Sequence, residues 1–247
     1  VCLVGAAGFG LWLVRGRQVE WRTRVQVGTP FHQTPVFTDL MTYLVLNPSW
    51  TVPPGILRNE TLPATRRDPG YLERNRMTVV AGDGSAVDPA TVDWEAAARG
   101  RFSYQIRQEP GPENALGRVK FMFPNPHMVY LHDTPSKALF QRADRAASHG
   151  CIRVEGPLTL AEMLLEEDPA WTRGRIDRAL ASGVTTTVNL PRPLTVMLLY
   201  WTAEATAEGA VHFRRALYGR DAALLAHLDE PYRASPPQGA GEALRRP

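Results

Sequence analysis

Cysteine is scarce in this chain of 247 residues, which contains only Cys2 and Cys151. Two cysteines are too few for a disulfide framework in a chain of this length. A structural zinc site needs clustered ligands, and the sequence has no Cys-x-x-Cys pair. No apolar run reaches the ~18 residues that a membrane-spanning helix requires. The sequence therefore does not indicate a disulfide-stapled, zinc-ribbon or membrane-spanning architecture.

Charge of one sign is also lacking, because the net charge is only +3 at neutral pH. So small an excess does not indicate nucleic acid or another polyanion as a partner. Lysine is rare as well: only Lys120 and Lys137 occur, and arginine supplies the other cationic side chains. We interpret this arginine excess as genome composition. With 44% hydrophobic residues, the chain can bury a core as one large domain or two small ones.

The first 14 residues are apolar, and the chain begins at Val1. A signal peptide would carry a basic segment before such a stretch and a small-residue cleavage site after it, and neither is present. We therefore expect the chain to start in or near a first strand, with any export signal upstream.

Alternating apolar and polar residues dominate the rest of the chain, a pattern typical of half-buried antiparallel strands. It predicts a hairpin over 11–27 and further strands over 41–46, 118–123, 127–132, 184–189, 194–201 and 211–217. Apolar periodicity and capping residues predict helices over 158–167, 170–181 and 221–228. The fold class is therefore α+β, mainly antiparallel β with a few helices.

Residues 48–117 have the composition of an insertion, because prolines divide them into short segments. They predict short helices near 56–60, 71–76 and 92–99 and a strand over 77–81. A long excursion of this kind is a lid over a site or an ordinary irregular connection. Residues 231–247 are rich in proline, glycine and arginine and are expected to be a disordered tail.

The chemically informative residues surround Cys151, which lies two positions after His149 and nineteen after His132. A thiol attacks as the thiolate, and a neighbouring imidazole can take its proton. Gly150 permits a sharp bend with an exposed backbone N–H, the kind of donor that forms an oxyanion hole. Alternatively, Cys151 is a buried, inert residue beside capped histidines.

The complete string is more specific than its parts. His132 is followed after a spacer by Ser148-His149-Gly150-Cys151-Ile152-Arg153, and this resembles the active-site motif of the L,D-transpeptidase (YkuD-type) catalytic domain. The flanking segments resemble the large periplasmic Gram-negative branch of that family: Thr34-Pro35-Val36-Phe37, Asn47-Pro48-Ser49-Trp50, Lys120-Phe121-Met122-Phe123-Pro124-Asn125 and Tyr130-Leu131-His132-Asp133-Thr134-Pro135. The resemblance covers about residues 10–200.

This resemblance implies a β-sandwich-like catalytic domain over 10–230, with 48–117 as a capping subdomain, located in the periplasm. It makes Cys151 the nucleophile and His132 the general base. It also implies that the Asp133 carbonyl orients the imidazole and that amides near Gly150 and Cys151 are oxyanion donors. The residues that it implies to shape the pocket or contact substrate are His149, Arg153, Tyr130, Ser148 and Trp50.

The implied activity is 3→3 cross-linking of peptidoglycan stem peptides, a step in cell-wall biogenesis and cell shape, with carbapenem β-lactams as inhibitors. No cofactor or metal is expected. Water as the acceptor would instead make the protein an L,D-carboxypeptidase, and a protein acceptor would make it an attachment or release enzyme. The alternative outside enzymes is an inactive wall-binding module. Acceptor choice depends on pocket shape, which the sequence does not specify.

Overall fold

A computed structural model describes residues 1–206 and 208–231. The predicted tail beyond residue 231 lies outside the described residues. The chain divides into two compact units, Val1–Trp201 and Thr202–Pro247. The predicted domain boundaries of 10–230 differ from this division, because the first strand of unit 1 already begins at Cys2 and a second unit begins at Thr202.

Strands make up most of the regular structure, in agreement with the predicted α+β class. They are β1 (Cys2–Gly5), β2 (Gly10–Arg15), β3 (Gln18–Gly28), β4 (Phe37–Leu46), β5 (Trp50–Thr51), β6 (Met77–Val80), β7 (Ala86–Val87), β8 (Gln105–Gln108), β9 (Val119–Met122), β10 (Leu131–His132), β11 (Ala146–Ser148), β12 (Ile152–Val154), β13 (Thr186–Leu199), β14 (Ala203–Ala205) and β15 (Val211–Phe213).

The helices are short. They are α1 (Pro54–Ile56), α2 (Leu62–Arg67), α3 (Tyr71–Arg74), α4 (Trp94–Ala98), α5 (Pro157–Leu165), α6 (Arg173–Ala181) and α7 (Asp221–Leu228), with a π-helical turn at Leu57–Thr61 and 3₁₀ turns at Pro89–Thr91 and Lys137–Gln141. In the described part of the chain, no helix is both long and apolar enough to span a bilayer.

The main sheet of unit 1 has the strand order β11-β3-β12-β10-β9-β4-β13-β1-β2. Because β2 also pairs with β3, the order from β3 to β2 closes on itself, and β11 pairs with β3 beside it. Most pairings are antiparallel, as predicted, but β10 runs parallel to β12, β1 parallel to β13 and β11 parallel to β3. Helix α5 packs against β9 and β13, and the interior includes fully buried Phe121, Leu131, Ile152 and Leu160. This core holds β9, β10 and β12 side by side.

Two strand predictions were wrong in their extent. The strand predicted over 127–132 is reduced to β10, because the Asn125 side chain bonds the backbone of Phe123, His127 and Val129 and closes a turn. The two strands predicted around Pro191 and Pro193 form one strand, β13, whose register shifts between Asn189 and Leu194. Proline is tolerated in a strand at such an irregularity, since no ladder hydrogen bond is needed there.

The insertion at 48–117 has a hydrophobic core of its own. Strands β5, β8, β6 and β7 form a four-stranded sheet, and buried residues including Leu62, Val79 and Ile106 pack together over it. Its prolines do not prevent regular structure, because Pro54, Pro63 and Pro89 stand in the first turn of a helix, where a missing N–H costs nothing. The insertion is therefore a small folded subdomain.

The described part of the second unit contains a hairpin and a helix. Strands β14 and β15 are antiparallel, and Arg214 forms an ion pair with Glu204 at 2.6 Å. The strand predicted over 211–217 ends at Phe213, and helix α7 covers the predicted 221–228.

Candidate active site

A row of polar side chains crosses the centre of the main sheet. His132 of β10 lies directly opposite Lys120 of β9 on one side and Arg153 of β12 on the other. Arg153 in turn lies opposite Gln26 of β3 and donates to its Oε1 at 3.2 Å. Because directly paired residues point to the same face of a sheet, these four side chains share one face.

Cys151 lies immediately before β12, beside Tyr130. The Ile152 amide donates to the Tyr130 carbonyl at 3.0 Å, and Leu131 pairs with Ile152. Because side chains alternate along extended backbone, Tyr130 and His132 point to the same face as Cys151. The fold thus brings together the predicted nucleophile and base, which are nineteen residues apart in sequence.

Tyr130 and Met128 make polar contacts with the thiol. The backbone N–H and the hydroxyl of Tyr130 both hydrogen-bond the Cys151 side chain, and the hydroxyl also bonds Trp50. The Cys151 Sγ lies 3.9 Å from the Met128 carbonyl oxygen, which can accept the thiol proton. Trp50 belongs to β5 of the insertion, so the insertion supplies one residue next to the thiol.

The pKa of the Cys151 thiol reflects opposing influences. Burial raises it, whereas the Tyr130 hydrogen bonds and the positive charges of Lys120 and Arg153 lower it, with burial the largest effect. Burial likewise lowers the pKa of Lys120 and of Arg153, and the Cys151 charge opposes both shifts. Because burial outweighs the other effects, the pKa of Cys151 is raised above its ordinary value and the neutral thiol is the resting form. The cations and hydrogen bonds around the sulfur reduce the free-energy cost of forming the thiolate.

His132 is a neutral imidazole at physiological pH. Its side chain is only 4% exposed, and burial followed by the charge of Arg153 lowers its pKa to about 3, against the opposing effect of its hydrogen bond to Asp133. The Nδ1 atom bonds the Asp133 carbonyl oxygen. A carbonyl only accepts, so Nδ1 carries the proton and Nε2 has a lone pair that can accept one.

Asp133 is itself held by its neighbours. Its carboxylate accepts from the Arg118 amide at 2.9 Å and forms an ion pair with Lys137. Gly117 packs against this carboxylate with φ +60°, and a Cβ there would come within 2.4 Å of Asp133 Oδ2. Glycine at 117 thus keeps the segment that orients His132 in place.

Ser148 braces the loop that precedes Cys151. Its hydroxyl donates to the Cys151 carbonyl at 2.5 Å and accepts from the Gly150 amide at 3.1 Å, and the residue is 2% exposed. The buried hydroxyl is thus used within the loop, and the substrate-binding role of Ser148 stays a prediction.

Gly150 is fixed on both sides of its peptide unit. Its φ of +109° lies in a region that favours glycine, its amide bonds Ser148, and its carbonyl accepts from Thr34 Oγ1 at 2.9 Å. Because the Gly150 amide is already used, Gly150 orients the loop and differs from the predicted oxyanion donor. The Cys151 amide remains the predicted donor.

His149 faces away from the buried row and contacts the insertion. Its Nε2 lies 2.7 Å from Glu60 Oε1, and its ring packs against His32 at a centroid distance of 4.6 Å. His32 is exposed and lies beside the loop that carries Cys151.

Sequence reasoning missed Lys120, Gln26, Thr34 and Glu60 as members of this site. The rarity of lysine was the one available signal, because both lysines lie beside the His132–Asp133 pair. No group of three or more His, Cys, Asp or Glu side chains within 1–206 and 208–231 is placed to hold a metal ion.

Comparison with known proteins places this site in a family context. The family model of the L,D-transpeptidase catalytic domain (YkuD) matches residues 3–176. A Haemophilus influenzae protein named "Putative L,D-transpeptidase" is 38% identical over 200 residues, covering 81% of this chain. The chain spans about 40% of that relative's length. The crystal structure of Mycobacterium tuberculosis L,D-transpeptidase 1 matches with a TM-score of 0.30 and 11% identity, over 80% of this chain and 60% of that one.

Proposed function

This chain belongs to the L,D-transpeptidase catalytic domain (YkuD) family, and we propose that it forms 3→3 cross-links between peptidoglycan stem peptides through an acyl-enzyme on Cys151. The observation that carries this proposal is the placement of Cys151, Tyr130 and His132 on one face of adjacent strands. A partly buried thiol with two hydrogen-bond donors from one tyrosine, beside a neutral imidazole, is suited to nucleophilic catalysis.

In the first step, the Cys151 sulfur attacks the carbonyl carbon that joins the third residue of a tetrapeptide stem to its terminal D-alanine. The thiol proton passes to Nε2 of His132, whose Nδ1 proton is held by Asp133. The carbon–nitrogen bond then breaks, and the nitrogen of D-alanine takes the proton from His132. D-Alanine leaves, and the stem remains attached to Cys151 as a thioester.

In the second step, the side-chain amine of a diamino acid in another stem attacks the thioester carbon. His132 Nε2 accepts a proton from this amine, the carbon–sulfur bond breaks, and the released thiolate regains the proton. The product is a peptide bond between two diamino acids.

Two negative charges need stabilisation during these steps. A hydrogen bond from the Cys151 amide would stabilise the negative charge on the tetrahedral oxygen. The Tyr130 hydrogen bonds and the positive charges of Lys120 and Arg153 stabilise the negative charge on the sulfur. The Arg153 Nε is buried without a hydrogen-bond partner among the described residues. Trp50 of the insertion bonds the Tyr130 hydroxyl beside the sulfur, and this contact supports the proposed role of the insertion as a cap.

The proposed substrate lies in the cell envelope, and we propose the periplasm as the site of action. The experiment that tests the activity is mass spectrometry of muropeptides after incubation of the purified protein with a disaccharide-tetrapeptide. Cross-linked dimer with released D-alanine supports the proposal. Disaccharide-tripeptide alone would show water as the acceptor, hence an L,D-carboxypeptidase, and unchanged substrate would contradict both.

A further inference from the structure

The two lysines of this arginine-rich chain both lie at the candidate active site. Lys120 stands opposite His132, and Lys137 forms an ion pair with Asp133. All the other residues counted as lysine or arginine are arginine. An ammonium is a compact point charge and a guanidinium a planar fork, so the two are not equivalent in a tight site. The position of both lysines therefore suggests a specific use.

Lys120 differs from Lys137 in what it contacts. Its Nζ lies 3.8 Å from the centroid of the Tyr130 ring, and Tyr130 bonds the Cys151 sulfur. Lys137 is neutralised by the Asp133 carboxylate. Over the described residues, no salt bridge joins Lys120 to an Asp or Glu. The ammonium charge of Lys120 is thus uncompensated on the side of the sheet where the thiol lies.

We propose that Lys120 is a positioning residue that stabilises the Cys151 thiolate with its ammonium charge and holds the Tyr130 ring against the sulfur. This inference rests on the proposed function, because it takes Cys151 as the nucleophile. It adds a cation to the Cys–His pair as the group that stabilises the negative charge on the sulfur once the thiol proton has left.

The surroundings of the thiol explain why a cation other than His132 is needed. His132 is buried between two cations and carries no charge at neutral pH, so until it takes the thiol proton it offers the sulfur no positive charge. The charged and titratable groups around the sulfur are therefore Tyr130, Lys120 and Arg153. Arg153 donates to Gln26 Oε1 at 3.2 Å and to the Ala147 carbonyl at 3.5 Å, whereas Lys120 has its ring contact with Tyr130.

The test is the pH dependence of Cys151 alkylation by iodoacetamide, followed by peptide mass mapping. Cys2 is fully buried with its pKa raised to about 12, so the folded protein should react at Cys151. A nearby opposite charge favours the ionised form of the thiol. Lys120→Met should therefore move the midpoint of the alkylation rate against pH to higher pH and slow alkylation at pH 7 about tenfold. Lys120→Arg keeps the charge but replaces the compact ammonium by a planar fork, so its alkylation rate at pH 7 should lie between those of the wild type and Lys120→Met.

Lys137→Met is the matched control, because it removes the other lysine, whose charge Asp133 compensates. It should move the midpoint less than Lys120→Met does. An unchanged midpoint in Lys120→Met, or equal losses in Lys120→Met and Lys120→Arg, would overturn the inference. Lys120→Gln gives a second neutral variant if the methionine variant does not fold, as judged by far-UV circular dichroism.

The same proteins distinguish this inference from the proposed function. If the wild type yields muropeptide dimers and Lys120→Met keeps the wild-type alkylation midpoint, the proposed function stands and the role of Lys120 is wrong. If Lys120→Met shifts the alkylation midpoint but the wild type yields neither dimer nor tripeptide, the role of Lys120 toward the thiol stands and the proposed function is wrong.

Discussion

His149 Nε2 lies 2.7 Å from Glu60 Oε1, a contact between residues 89 positions apart in the chain. It joins the loop that carries Cys151 to the π-helical turn of the insertion. A second contact joins Trp50 of the insertion to Tyr130, which precedes β10 and hydrogen-bonds the Cys151 side chain. The insertion is therefore bonded to the candidate site at two places, as a capping subdomain would require.

Replacing Cys151 by alanine should abolish D-alanine release and leave the fold intact, because the side chain is small and the proposed chemistry needs the sulfur. Product analysis by mass spectrometry and far-UV circular dichroism check the two parts. Cys2→Ala is the matched control and should keep activity, since Cys2 is buried in β1 of the main sheet. Appreciable release by the Cys151→Ala variant would show that the nucleophile lies elsewhere.

Replacing His132 by alanine should lower the cross-linking rate by ~10²–10⁴-fold, the usual effect of removing a positioned acid–base group. His149→Ala should cost less, because His149 faces Glu60 and has a structural contact rather than a proton to transfer. Steady-state rates of D-alanine release compare the two variants. Equal losses, or a larger loss at His149, would reverse the assignment of the base.

The insertion should open and close over Cys151. Hydrogen exchange in 48–117 should be faster in the free protein than in the acylated one, because a bound acyl group holds the insertion down. Glu60→Gln removes the charge at the contact with His149 and should speed exchange in Leu57–Thr61 further. Glu95→Gln, which disturbs the Arg66 ion pair within the insertion, is the control. Equal protection in the free and acylated states would show that the insertion is a static part of the fold.

A carbapenem should acylate Cys151, because its strained lactam carbonyl presents an electrophile to a thiol that is surrounded by donors and cations. Penicillins should react poorly or transiently. Intact-protein mass spectrometry should show one added drug mass on the wild type and none on Cys151→Ala. A drug mass on the alanine variant, or one mapped to Cys2, would contradict both the inhibitor class and the position of the site.

Acid should destabilise the protein through His132. Its folded-state pKa of about 3 lies below the ordinary 6.5. Between these two pH values the unfolded chain binds a proton at His132 and the folded chain does not. This contribution to the free energy of unfolding is complete above pH 6.5 and is lost as the pH falls toward 3. Between pH 7 and pH 5, His132 should account for about 2 kcal/mol.

Urea unfolding at these two pH values measures the loss. His132→Asn should lose less stability on acidification than the wild type, whereas His212→Asn, at an exposed position, should match the wild type. The same acid sensitivity in His132→Asn and the wild type would show that other groups are responsible.

The sequence by itself predicted the chemistry of the site. The string from Ser148 to Arg153 with His132 upstream resembles the YkuD motif and so predicts a nucleophile and a base, and such a motif depends only on residue type and spacing. The strand alternation in 11–27 likewise predicted the β2–β3 hairpin, because period-2 patterning is a local property.

Only the tertiary structure decided which groups act on the sulfur. The register of β9, β10 and β12 places Lys120 and Arg153 on either side of His132, and burial there holds the imidazole neutral. The core of the insertion and the His149–Glu60 contact arise in the same way, from packing between residues far apart in sequence. Such contacts leave no periodic or local pattern, since strand register and desolvation are set by the whole sheet.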